Sequence, residues 1–82
     1  MRRVAASRVY INEKESHNNY VVELLDHLVV NHYPLQGELP MTEWLGGTIL
    51  IRDRQAFHTP KVLSPTELGT NNRGGNGDIE RL

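Results

Sequence analysis

Tyr20-Val21-Val22-Glu23-Leu24-Leu25-Asp26-His27-Leu28-Val29-Val30-Asn31-His32-Tyr33 is the stretch on which the fold turns. Read as a helix, it puts Tyr20, Leu24, Leu25 and Leu28 at i, i+4, i+5 and i+8, on one face. Read as strands, it breaks at the turn pair Asp26-His27 into two runs, and Pro34 stops the second. The strand reading is the stronger. Val21-Val22 and Val29-Val30 are β-branched pairs, which lose χ1 freedom in a helix and sit easily on a pleated surface. The stretch also lacks Ala, Lys, Gln and Met, which favour a helix.

Upstream, residues 3–11 mix small, β-branched and aromatic side chains. As a strand they place Val9 and Ile11 on one face and Arg8 and Tyr10 on the other. The polar run Asn12 to Asn19 reads as a hairpin connection. Downstream, Pro34 to Pro40 is a connector with Leu35 and Leu39 as apolar anchors. Thr42-Glu43-Trp44-Leu45 then leads to Gly46-Gly47, which marks a turn, a bulge or a close backbone approach. Thr48-Ile49-Leu50-Ile51-Arg52 is the clearest strand in the chain. The expectation is a mostly β domain, a small antiparallel sheet or β-sandwich-like fold. It has four main strands, and residues 55–63 are the candidate for a fifth. The connector 34–45 is irregular or carries one helical turn. Val9, Ile11, Val22, Leu24, Val30, Trp44, Ile49 and Ile51 are the expected core.

The chain has 82 residues, 38% of them apolar, against about 45–50% in an ordinary globular chain. The apolar runs lie in the first part, so the sequence divides into a β-rich domain over 1–63 and a polar tail over 64–82. Ser64-Pro65-Thr66-Glu67 has the form of a capping box with Pro at the first helical position, but Gly69 allows only one turn. Residues 70–78 have no apolar member, and the tail is expected to be flexible. A domain this small is marginal alone and usually needs a staple. No cysteine is present, which removes disulfides and Cys-based zinc sites and fits a reducing, cytoplasmic setting. Met1-Arg2-Arg3 is basic, but no apolar run of signal-peptide type follows it, and no run approaches the ~20 apolar residues of a membrane helix. Nine basic and ten acidic side chains are interspersed for a net charge of −1, without the basic stripe of a nucleic-acid binder. Self-association, as a homodimer that covers the open face of the sheet, is the expected staple.

The order of these pieces resembles the small β-subdomain that precedes the metal-bearing barrel in many amidohydrolase-superfamily enzymes. The carriers are the opening strand Val4-Ala5-Ala6-Ser7-Arg8-Val9-Tyr10-Ile11, the short strands 20–25 and 28–33, and the connector Pro34-Leu35-Gln36-Gly37-Glu38-Leu39. The closing phrase is Thr42-Glu43-Trp44-Leu45-Gly46-Gly47-Thr48-Ile49-Leu50-Ile51. The resemblance covers roughly residues 3–52 and implies a β-sandwich-like fold. In those enzymes the closing strand leads to a Pro-Gly turn and a His-x-His metal pair. Here Ile51 leads to Arg52-Asp53-Arg54-Gln55, no two histidines are separated by one residue, and the barrel is absent. The resemblance thus argues for the subdomain without the enzyme.

Few residues suggest chemistry. Metal sites need three or more convergent ligands. His27, His32 and His58, with Glu23, Asp26 or Glu43, are the candidates. His27 and His32 stand five apart, which sends them to opposite faces of a strand; His17 lies in the first connection. Ser7, Ser16 and Ser64 belong to no nucleophile elbow. Glu13 and Glu15 are turn residues and Glu23 is mid-strand, which suits no buried acid–base pair. Gly74-Gly75-Asn76-Gly77 lacks the Lys-Ser/Thr of a phosphate loop. Trp44, the only tryptophan, is either a core anchor or a hot spot of a protein contact, with Tyr33, Leu35 and Leu39 in the same patch. The expected function is a non-enzymatic interaction or accessory module, without a cofactor, that binds a second copy or another protein and neither nucleic acid nor membrane. The alternative is a small-ligand or metal-binding domain using His27, His32 and His58.

Overall fold

The computed structural model describes residues 1–64 and 79–82. Among these are seven strands and no helix: β1 Arg2–Ile11, β2 Glu15–Leu25, β3 Leu28–Pro34, β4 Glu43–Trp44, β5 Thr48–Arg52, β6 Gln55–Thr59 and β7 Glu80–Arg81. Among the described residues no helix is therefore long and apolar enough to cross a membrane.

The first three strands form an antiparallel meander. Its second turn is the pair Asp26 (φ 52°) and His27 (φ 70°), and Asp53 (φ 53°) and Arg54 (φ 64°) repeat the geometry between β5 and β6. Two successive left-handed residues give the primed hairpin turn whose twist matches that of the strands it joins. The first connection is shorter than its composition suggests. Asn12 to Lys14 make the turn, and Glu15 already pairs with Ile11.

β1 is hydrogen-bonded along both edges. β2 runs antiparallel on one side, from Arg2↔Leu24 to Ile11↔Glu15. On the other side lies one interrupted parallel strand. β4 pairs Val4 and Ala5 with Glu43 and Trp44, and β5 pairs residues 8–11 with residues 48–51. β5 turns back into β6, and β6 meets β3 at Leu28↔Gln55. The circuit β1-β2-β3-β6-β5-β1 is thus a closed five-stranded barrel with β4 and β7 added to it. This corrects the expected open sheet or sandwich. The reason is topological: a parallel β1–β5 pair needs a long crossover, and residues 35–47 complete one that touches the ladder only at β4. Closure removes edges and covers the apolar face, so an uncovered face no longer argues for a dimer.

The interior holds Val4, Ala6, Val9, Tyr20, Val22, Leu24, Val29, Ile49, Ile51, Ala56 and Leu82, with Ile11 and Leu45 packed against it. Two expected core residues lie outside. Val30 is displaced by a bulge in the β2–β3 ladder opposite Glu23 and Leu24, which gives the inward place to Val29. Trp44 stands on the two-residue strand β4 and is 56% exposed. In β1 the inward set changes phase between Ala6 and Val9. There Ser7 and Asn19 drop out of the ladder and Asn19 takes φ 52°.

The connector 34–45 has no helical turn. The capping box at 64–67 and the Gly- and Asn-rich run 70–78 lie outside the described residues. The last four residues depart from the expectation of a tail free of the domain: β7 pairs with β6, and Leu82 is buried in the core.

Gly47 marks the tightest approach in the crossover. A Cβ there would overlap the Thr59 carbonyl oxygen and the Pro60 backbone, whereas a Cβ at Gly37 meets nothing. Both glycines have positive φ, so Ala at either site carries a left-handed strain of about 1–2 kcal/mol. Gly47→Ala is expected to lower the urea midpoint well beyond Gly37→Ala, the excess reporting the lost closure contact.

Candidate functional site

A surface groove is built by the crossover as it passes over β1. Two arginines of β1 fasten it. Arg2 donates to both carboxylate oxygens of Glu43, at 2.9 and 3.1 Å. Arg3 donates to the Pro40 carbonyl at 3.1 Å and to Glu23 Oε2 at 2.9 Å. The Tyr33 hydroxyl donates to the same Glu23 oxygen at 2.5 Å. The backbone adds Leu35 N–H to the Asn19 carbonyl and Leu45 N–H to the Ala5 carbonyl.

Held this way, the crossover encloses a groove of about 490 Å³ against Ala5, walled by Leu35, Leu39, Pro40, Thr42 and Trp44. Met41, 89% exposed with φ 61°, stands beside it. Three of the four residues expected to form an interaction patch, Trp44, Leu35 and Leu39, are therefore brought together. Tyr33 is not a wall residue; it braces the groove through Glu23 and Arg3. Met41 was not marked by the sequence, which named Glu23 as a possible metal ligand and Tyr33 as a patch residue but not their grouping with Arg3. Alternating polar positions on adjacent strands were the only signal for the cluster.

The Glu23 carboxyl is held below its ordinary value, chiefly by the Tyr33 hydroxyl and then by the Arg3 guanidinium. The same contact with Glu23 raises the Tyr33 phenol and the Arg3 guanidinium. Glu43 is likewise lowered by its bonds to Arg2.

The histidines are not brought together. His27 Nδ1 donates to the Leu82 carbonyl at 2.8 Å and His58 Nε2 to the Gly46 carbonyl at 3.1 Å. His32 Nδ1 shares a hydrogen bond with the Tyr20 hydroxyl at 3.0 Å. Among the described residues no three His, Asp or Glu side chains lie close enough to hold a metal ion. Glu43 and Glu23 are bonded to the arginines instead. His17 stacks on Tyr20, with ring centroids 4.2 Å apart and planes 10° from parallel, and contacts Glu15 at 3.2 Å. His17, Tyr20 and His32 thus form an aromatic row across β2 and β3. Its His32 end borders an open cleft of about 410 Å³ floored by Ile11, Val29 and Ile51. The phase change at Asn19 sets His17 beside Tyr20 three positions away, which strict alternation does not anticipate.

No protein-family model, curated protein or solved structure matches this chain.

Because Glu23 is depressed in the folded state, its contribution to stability is complete above the ordinary carboxylate value of 4.5 and is lost as pH falls through the depressed value. Thermal melts of the wild type are therefore expected to lose stability on acidification below about pH 4.5. In Glu23→Gln the loss over that window is expected to be smaller, from a lower starting stability at pH 7. Equal acid slopes for the two proteins would contradict the assignment.

Proposed function

We propose that this chain is a non-enzymatic interaction module that pairs with a second copy of itself through the Trp44 groove. One observation carries the reading: the only tryptophan of a chain poor in apolar residues stands more than half exposed beside a hollow lined by Leu35, Leu39 and Pro40. The core is complete without it.

The choice of a second copy rests on shape and charge. A two-fold interface uses one patch twice, so that patch must carry both a hollow and something to fill it. Here Met41 and Trp44 project beside the groove. Arg2, Arg3, Glu38 and Glu43 bring both charge signs to its surroundings, so two copies do not meet in a single-sign field. Trp supplies a large share of the binding energy when buried at the centre of such a contact.

The non-enzymatic part is supported by the engagement of the histidines. Their rings contact Glu15, Tyr20, the Leu82 carbonyl and the Gly46 carbonyl, in none of which is a serine or threonine activated. A metal or ligand site built from His27, His32 and His58 has less support, since the three rings are bonded at separate places.

The test uses the single indole as its own reporter. Light scattering of the wild type is expected to show a concentration-dependent dimer, with a blue shift of tryptophan emission as it forms. Trp44→Ser is expected to weaken the dimer at least about tenfold, the effect of roughly 1.4 kcal/mol, and to leave the β-sheet circular dichroism intact. A wild type that stays monomeric to millimolar concentration with unchanged emission would rule the pairing out. So would an equally strong dimer of the variant.

A further inference from the structure

β3 and β6 share a single register position, Leu28↔Gln55. Past it, among the described residues, β3 is paired only with β2. The open cleft of about 410 Å³ lies along this unpaired edge, between residues 29–32 and the turns that follow β1 and β5. Val29 and Ile51 of the core reach its floor with Ile11, and Val30 beside them is 46% exposed. The volume falls within the roughly 300–1,000 Å³ of small-molecule sites. A further strand does not suit the edge. The His32 amide already donates to Asn31 Oδ1 at 3.0 Å, and Pro34 has no amide to offer.

The charges at the rim narrow the choice of small molecule. Three hairpin turns place two successive residues at positive φ: Asn12-Glu13, Asp26-His27 and Asp53-Arg54. Glycine is preferred at the second of these positions, and none of the three turns has it. In two of them the residue found there has a partner. Glu13 pairs with Arg52, and His27 bonds the Leu82 carbonyl. Arg54 has no such compensation. Neither its guanidinium nor the Asp53 carboxylate makes a hydrogen bond or ion pair among the described residues. The rim therefore carries one unengaged cation and one unengaged anion side by side, above an apolar floor. His32, on the opposite wall, is bonded through Nδ1 to the Tyr20 hydroxyl.

We infer that this cleft binds a free α-amino acid with an apolar side chain. The Arg54 guanidinium receives the α-carboxylate in a two-pronged hydrogen-bonded pair, and Asp53 receives the α-ammonium. The side chain lies on Ile11 and Val30. A ligand with one charge would satisfy one rim group and meet its own sign at the other. The cleft shares no lining residue with the Trp44 groove, so the inference goes beyond the pairing proposed above and does not depend on it.

The test follows the amide resonances of residues 11–12, 29–32 and 51–54 in the isotope-labelled full chain as L-phenylalanine is added. These amides are expected to shift saturably at millimolar concentration. Hydrocinnamate lacks the ammonium, phenethylamine lacks the carboxylate, and glycine lacks the apolar side chain. Each is expected to bind at least about tenfold more weakly. Arg54→Gly gives the turn the residue its geometry favours. It is expected to melt no lower than the wild type while its affinity for L-phenylalanine falls at least about tenfold. Asp53→Asn, equally suited to its turn position, is expected to lose affinity to the same degree. Absence of a saturable shift at these amides at tens of millimolar overturns the inference. So does equal binding of hydrocinnamate, which would make the cleft a monocarboxylate site, and so does unchanged affinity in Arg54→Gly.

Discussion

The pairing of β1 along both of its edges is the constraint from which the other features follow. One edge is taken locally, by the hairpin to β2. The other is taken by a segment about forty residues away in sequence that runs parallel to it. A parallel neighbour cannot be reached by a tight turn, so the chain must leave the sheet and come back. Residues 35–47 make that excursion. The groove, the exposed Trp44 and the close approach at Gly47 all belong to it. Without the parallel pair there would be no barrel, and without the excursion there would be no groove.

The fastening of the excursion explains how an irregular segment keeps a defined shape. Arg2 and Arg3 are neighbours on β1 and point to opposite sides, one to Glu43 and one to Glu23 and Pro40. A two-residue basic stretch that looks like an ordinary polar terminus is thus a pair of clasps. Glu23 is buried only because Arg3 and Tyr33 satisfy it, in keeping with the cost of an unpaired buried carboxylate. Among the described residues no buried side-chain polar atom lacks a partner.

Local features of the fold were legible in the sequence, and non-local ones were not. The β-branched pairs at 21–22 and 29–30 correctly argued for strands, and Asp26-His27 is the turn that separates them. Thr48 to Arg52 is a strand as expected. What the residues could not disclose is which strand lies beside which, because ladder bonds are made by backbone groups common to every residue. Closure was therefore missed, and with it the exposure of Trp44, since an apolar side chain is placed by its neighbours in space. Val30 was misplaced for a smaller reason: a one-residue bulge reverses the faces of everything beyond it. The grouping of Leu35, Leu39 and Trp44 was visible because its members are close in sequence. Its Arg3–Glu23–Tyr33 brace was hidden because its members are not. Leu82 was overlooked because the polar run before it made the last residues look like more of the same.

The single register position joining β3 to β6 has a consequence for how the molecule breathes. Elsewhere neighbouring strands are held by ladders of up to nine register positions, and this junction is the weakest line around the wall. Sub-global opening follows the least-bonded boundary. By that rule the amide protons of β1 and β2 are expected to exchange most slowly, and those on the β3–β6 flank are expected to exchange before global unfolding.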